Sequence, residues 1–251
     1  MKFIVCEDHS HLAEVVSDLI IDQVMTKPDS VICIPTGGTP IPAYQRLVEK
    51  SKNIDYSRVS FFNLDEYLDL APTHEQSYQS FLKTHVLDPL GIALSQQHLL
   101  RSDSPDPILE CLRNDAQIDY FGGFDLMLDG IGENGHIAFN EPSDHFESRT
   151  HIADISTSTR IANARFFDSL DEVPRQAISV GFEDIIKAKH LILMATGPKK
   201  ALVIERLVSE STISCDFPIS FLRMHPNVTL VLDKAACGRS IDVLVNRGQS
   251  L

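Results

Sequence analysis

Seven short apolar runs, spaced by segments with helical periodicity, constrain this chain more than any other feature. Lys2–Cys6, Ser30–Ile34, Arg58–Leu64, Phe124–Leu128, Ala177–Val180, Leu191–Ala195 and Val228–Leu232 are too short for buried helices. Between them, Ser10–Thr26, Pro40–Val48, Ser77–Val86, Ile108–Ala116, Phe182–Lys187 and Lys199–Glu210 repeat apolar residues near the helical period. Ser10 is placed to cap the first of these helices, and Lys27-Pro28 to end it. Strands that are apolar throughout, rather than at alternate positions, must be covered on both faces. The expected fold class is therefore α/β: a doubly wound, mostly parallel, Rossmann-like sheet with helices on both faces. No low-complexity linker, charge block or internal repeat divides the chain, so residues 1–251 read as a single domain. Residues 143–174 are polar and poor in β-type runs, as expected of a lid.

The charge balance excludes several partners. A formal net charge of −13 makes nucleic acid or an anionic membrane an unsuitable main partner. No apolar run approaches the ~20 residues of a membrane span, and the N-terminal apolar stretch is too short for a secretory signal. Five cysteines lie far apart with no CxxC pair, which suits reduced thiols in the cytoplasm. Three of them neighbour apolar strand or helix residues and are expected in the core.

Chemistry concentrates where apolar runs meet glycine turns. After Phe124–Leu128 comes Asp129-Gly-Ile-Gly-Glu-Asn-Gly-His-Ile-Ala-Phe-Asn-Glu-Pro142, a tight turn that presents His136 and Glu141. Pro35-Thr-Gly-Gly-Thr-Pro40 lies between a strand and a helix, with Thr36, Gly37, Gly38 and Thr39 forming a plausible phosphate cradle. It lacks the P-loop lysine and the dinucleotide glycine spacing, so no nucleotide is implied. Asp65-Glu66 follows the third strand. One carboxylate there can act as a general base, two can hold a metal, and either can simply close a turn. Lys199 and Lys200 open a helix against its dipole, which an anion nearby would explain, as would solvation. His9 and His11 form an HxH pair with no partners nearby in sequence, so no metal site is expected.

These loops together resemble glucosamine-6-phosphate deaminases, also called glucosamine-6-phosphate isomerases. The matching stretches are Pro35–Pro40, Asn63–Tyr67, Ser77-Tyr78, Gly132–Pro142, Ser148–Thr150, Asn163–Phe167 and Gly197–Ala201, in order along nearly the whole chain. The resemblance implies a hydrolase acting on a C–N bond without a redox cofactor. Its reaction converts glucosamine 6-phosphate and water to fructose 6-phosphate and ammonia, in amino-sugar catabolism. It implies Asp65 as the base at C2, His136 as the proton shuttle for ring opening and Glu141 as its charge support. Thr36–Thr39, Arg165 and Lys200 would grip the phosphate. Asn134 stands where many members carry aspartate, so it is neither a charged partner nor a base, and the tuning of the histidine is expected to differ.

The partner implied is a small amino-sugar phosphate, and the assembly a monomer or small homo-oligomer. Hexameric allosteric members bind an amino-sugar phosphate at a basic subunit boundary. The corresponding positions resemble Asp144, His145, His151 and Ala153, a set poorly suited to phosphate, and the stretch after Val243 is short. Hyperbolic kinetics without activation by N-acetylglucosamine 6-phosphate are expected. Galactosamine-6-phosphate deaminases differ in the stereochemistry of one hydroxyl. Gly37-Gly38 and Tyr67 lean towards glucosamine. 6-Phosphogluconolactonases share the fold and phosphate loop, but Tyr67 and Phe139–Pro142 argue against that activity. A non-catalytic sugar-phosphate sensor would not require Asp65, His136 and Glu141 together.

Overall fold

A computed structural model describes residues 1–248. The strands are β1 (Lys2–Cys6), β2 (Val31–Ile34), β3 (Ser60–Asn63), β4 (Asp65–Tyr67), β5 (Gln97–His98), β6 (Leu126–Gly130), β7 (His151–Asp154), β8 (Gln176–Ser179), β9 (Leu191–Ala195) and β10 (Val228–Asp233). The helices are α1 (His9–Thr26), α2 (Ile41–Lys50), α3 (Tyr78–Leu82), α4 (Pro107–Phe121), α5 (Thr157–Asn163), α6 (Phe182–Lys187), α7 (Ala201–Ser209), α8 (Lys234–Cys237) and α9 (Ile241–Gly248).

Seven strands form one sheet in the order β1-β10-β9-β6-β2-β3-β5, and every pairing in it is parallel. Alternate strand residues face opposite layers. Ile32, Ile34, Phe61, Leu126, Leu128, Ile192 and Met194 pack with Leu12, Val16 and Ile20 of α1 and Tyr44 and Leu47 of α2. Cys33, Phe62, Met127, Leu191, Leu193 and Leu230 pack with Ile118 of α4, Ile185 of α6 and Ile204 and Leu207 of α7. With both faces covered, nearly every position on these strands must be apolar, and the fold is the expected Rossmann-like α/β class. From β2 the chain steps outward to β3 and β5; from β6 it steps the other way to β9 and β10. The order reverses between β2 and β6, so the loops after those strands flank a crevice at the carboxyl edge, where doubly wound sheets bind ligands.

Several local expectations need correction. Ala177–Val180 does not join the parallel sheet. As β8 it forms the centre of a small antiparallel sheet, β4-β8-β7. β4 and β7 were not expected as strands: each is three or four residues long, and neither is a continuous apolar run. Residues 143–174 are accordingly more ordered than polarity suggested, carrying β7 and α5. The first helix is capped by Asp8, whose carboxylate accepts from His11 N at 2.9 Å, not by Ser10. α4 runs on to Phe121, where Gly122 (φ +76°) closes it in a left-handed conformation. Four cysteines, Cys6, Cys33, Cys111 and Cys237, are buried rather than three, and no disulfide links any of the five. No helix among the described residues is long and apolar enough to cross a membrane.

Candidate active site

A cleft of about 1040 Å³ opens at the β2–β6 crevice. Thr36, Gly37, Gly38, Thr39, Asp65, Asn134, His136, Arg165 and Lys200 all line it. Glu141 stands behind His136. Residues from five separate segments therefore converge on one concave surface.

The turn after β6 sets the histidine. Gly132 N donates to His136 O at 3.0 Å, and Gly135 N to Gly132 O at 3.0 Å, closing a compact loop. Gly135 needs a positive φ of +88°, which glycine adopts without strain. The Nδ1 of His136 is buried without a hydrogen bond, and Glu141 Oε2 faces it at 3.5 Å, an ion-pair separation. Glu141 is itself held from three sides. Asn134 Nδ2 donates to Oε2 at 2.6 Å, Ser156 Oγ donates to Oε1 at 3.0 Å, and Thr159 Oγ1 also donates to Oε1. Asn134 also accepts from His136 N through Oδ1 at 3.2 Å. In place of a charge, Asn134 bridges the histidine backbone and the carboxylate.

Burial opposes ionisation of Glu141. The His136 imidazole, the Thr159 hydroxyl and the Asn134 amide outweigh it and hold the carboxyl down to about 2. A carboxyl depressed on folding stabilises the protein above its unfolded value near 4.5, and that contribution fades as pH falls towards 2. Glu141→Gln is therefore expected to cost about 2 kcal/mol at pH 7. The gap to wild type should narrow steadily as pH falls from about 5 towards 3. Urea melts of both proteins across that range check it; a gap independent of pH would contradict the assignment.

Asp65 reaches the cleft by a different route. It begins β4 opposite Ser179 of β8. Ser179 Oγ accepts from Phe139 N at 3.0 Å, tying the small sheet to the histidine turn. Asn63 Nδ2 donates to the Asp65 carbonyl at 2.7 Å. Asp65 is 9% exposed. Burial pushes it well above the usual carboxylate range, and the nearby Asp129 and Glu66 charges push it further.

Glu66 does not share the cleft. Its Oε1 accepts from Tyr67 N and Tyr78 N at 2.9 Å and its Oε2 from Gln79 N at 2.8 Å, so it serves as a cap for α3. The sequence left open a metal held by the Asp65-Glu66 pair; the two side chains diverge, and no cluster of metal-ligating side chains occurs among the described residues. His9 Nε2 is 2.9 Å from Thr39 O and His11 Nδ1 accepts from Glu7 N at 3.2 Å, so both members of the HxH pair have local partners.

Opposite the carboxylates lies a cationic end. Lys200 Nζ donates to the Ile131 carbonyl rather than to an acid. Burial lowers its pKa; Glu133 opposes this, while Arg165 and Lys199 add to it. Among the described residues no carboxylate lies within ion-pair distance of Arg165, Lys199 or Lys200. Three cations that line one cleft with Thr36–Thr39, none of them in an ion pair among the described residues, suit a dianionic group. Gly37 takes φ +101° to shape that loop.

An aromatic wall of Tyr67, Tyr78 and Phe139 completes the cleft; the sequence had used Tyr67 and Phe139 only to tell substrates apart. Tyr67 lies 4.7 Å from Tyr78 and 5.8 Å from Phe139 between ring centroids. Asn163 Nδ2 donates to Tyr67 Oη at 2.8 Å. The hydroxyls of Ser156 and Thr159 were missed as well. Their spacing, Ser156-Thr-Ser-Thr159, is a helix-cap signal, and nothing local says that the cap also grips Glu141.

Residues 7–231 match the family model described as glucosamine-6-phosphate isomerases/6-phosphogluconolactonase. A glucosamine-6-phosphate deaminase of Geobacillus sp. (strain WCH70) is 42% identical over 94% of this chain and 94% of its own length. One from Bacillus pumilus (strain SAFR-032) is 42% identical over 94% of this chain and 98% of its own. A solved monomeric glucosamine-6-phosphate deaminase superposes with a TM-score of 0.91 at 35% identity, covering 94% of this chain and 99% of that one. A 6-phosphogluconolactonase from Trypanosoma cruzi, at TM-score 0.77 and 20% identity, shares the fold. The chain belongs to the glucosamine-6-phosphate isomerase/6-phosphogluconolactonase family, on the side of the glucosamine-6-phosphate deaminases.

Proposed function

We propose that this protein converts glucosamine 6-phosphate and water to fructose 6-phosphate and ammonia, with Asp65, His136 and Glu141 carrying the chemistry. The observation that supports this most is one cleft that joins a buried carboxyl, a histidine–carboxylate pair and three cations without an ion-pair partner among the described residues. The phosphate sits on Thr36–Thr39, Arg165 and Lys200, placing the sugar along the Asp65–His136 side.

His136 moves the proton from the anomeric hydroxyl to the ring oxygen, and Glu141 supports the imidazolium that forms meanwhile. In the open aldehyde, Asp65 takes the C2 proton. The C–H electron pair becomes the C1–C2 double bond as the aldehyde oxygen is protonated. Asp65 returns the proton to C1, the nitrogen lone pair forms a C2 imine, and water replaces it as ammonia leaves. Burial of Asp65 suits this step, because a carboxyl with a raised pKa is, once ionised, a stronger base. Asn134 acts through Glu141. Residues 143–174 carry Arg165 and Thr159, and serve as the lid of a single domain. The cytoplasm suits an enzyme with free thiols and no membrane-crossing helix among the described residues.

The test is ammonia release from glucosamine 6-phosphate beside galactosamine 6-phosphate. Release from the first sustains the proposal; release from the galactosamine epimer alone would keep the mechanism and change the substrate. The same assay checks regulation. His145 lies between Asp144 at 2.6 Å and Glu147 at 3.1 Å, so its positive charge is already neutralised, and Ala153 is buried. A monomer or small oligomer with hyperbolic kinetics is expected, with KM unmoved by N-acetylglucosamine 6-phosphate. A several-fold drop in KM on adding that compound would refute this.

A further inference from the structure

The cleft contains a second buried carboxyl that the steps above leave unused. Asp129 stands near the end of β6, lines the cleft and is 5% exposed. Its Oδ1 accepts from Gly130 N at 2.6 Å and its Oδ2 from Ala138 N at 2.9 Å. Ala138 is one of two non-glycine residues at positive φ among the described residues, at +49°, a conformation that costs about 1 kcal/mol for a residue with a Cβ. Ala138 lies two residues after His136 and three before Glu141, so the bond from Asp129 fixes the bend between them.

The charge environment of Asp129 is as distinctive as its bonding. No lysine or arginine pairs with it among the described residues. The titratable groups that face it are Cys33 from β2, Tyr44 from α2, Asp65 at the start of β4, and His136. Burial holds the Cys33 thiol and the Tyr44 hydroxyl well above their usual values, so both are neutral. Of these groups, His136 is the one that offsets the Asp129 charge. Burial pushes Asp129 up to about 7 against its two backbone N–H bonds and His136. Among the described residues no donor bonds the Asp65 carboxyl, and burial followed by the Asp129 and Glu66 charges pushes it well above the usual carboxylate range. Asp129 is therefore one of the charges that raise Asp65.

We propose that Asp129 is a positioning residue for the deamination, pinning the Ala138 bend that aims His136 and keeping a negative charge beside Asp65. The assignment rests on the deaminase function proposed above. In the form where both carboxyls are ionised, Asp65 then takes the C2 proton as a stronger base than a lone carboxylate, without Asp129 touching the sugar.

Asp129→Asn keeps the shape and an acceptor oxygen but removes the charge. The acid limb of kcat/KM against pH should move down by about one unit or more. The plateau kcat should fall about 10-fold, with KM within about 2-fold of wild type. An acid limb at the wild-type pH would overturn the proposal, however low kcat became, because a merely structural role lowers activity without moving the profile. A second measurement needs no turnover. In protein labelled with ¹³C at the aspartate carboxyls, the resonance lost in Asp65→Asn should titrate above the usual carboxylate range and move down by about a unit or more in Asp129→Asn. If that resonance does not move, Asp129 places no charge on Asp65 and the proposal is overturned. Failure of ammonia release with this coupling intact would instead count against the deaminase function alone.

Discussion

Asp65→Asn should lower kcat for ammonia release by at least about 10³-fold while sugar phosphate still binds. Asparagine fills the same space and cannot accept the C2 proton. The loss should be chemical, because little of the fold depends on the carboxyl. What holds residue 65 is its backbone, opposite Ser179 in the small sheet and bonded through its carbonyl to Asn63 Nδ2 at 2.7 Å. The substitution also removes one of two like charges from a buried site, so Tm should be no lower than wild type. Phosphate contacts at Thr36–Thr39, Arg165 and Lys200 remain, so a sugar-phosphate inhibitor should bind within a few-fold of its wild-type affinity. Exchange of the C2 hydrogen with solvent should vanish together with ammonia release. Retention of more than about a tenth of the activity would assign the C2 proton to another group.

The sheet could be read from the sequence because its signal is local. Runs such as Val31-Ile-Cys-Ile34 and Leu191-Ile-Leu-Met-Ala195 are apolar at every position, which a strand between two helical layers requires. The ligand-binding edge could be read for the same reason: glycine turns follow β2 and β6, where the strand order reverses. The small antiparallel sheet could not. Asp65-Glu-Tyr67 and His151-Ile-Ala-Asp154 are strands only because β8 lies between them, and β4 finds it across more than a hundred residues of chain. The same limit applied within the site. Asp65 and His136 were identifiable from the motifs that contain them. That Glu66 turns away to cap α3 depends on the amides of Tyr78 and Gln79, twelve and thirteen residues on. Asp129 was visible as a strand-end residue, but its nearness to Asp65 is a property of the sheet edge.

Two glycines face the same steric problem with different neighbours, and their alanine variants should separate activity from stability. A Cβ on Gly132 would lie 2.4 Å from Cγ and Nδ1 of the His136 ring. A Cβ on Gly181 would lie 2.4 Å from the carbonyl oxygens of Ser148 and Arg149. The imidazole can rotate away from the first; the backbone around Ser148 cannot yield to the second, since it accepts from Glu183 N at 2.9 Å, and its neighbour Glu147 accepts from Phe182 N at 2.8 Å. Gly132→Ala should therefore fold, with stability reduced by no more than about 1–2 kcal/mol, yet lose about 10²-fold or more in kcat. An imidazole moved by about 1 Å leaves both the Glu141 carboxylate and the ring oxygen of the sugar. Gly181→Ala should lose about 3 kcal/mol or more of stability, with whatever folded fraction remains turning over near the wild-type rate. Denaturant melts and active-site-normalised kcat distinguish the two. Were Gly132→Ala to keep wild-type kcat, His136 could not be working from the position it occupies against Gly132, and ring opening would have to be assigned to another group.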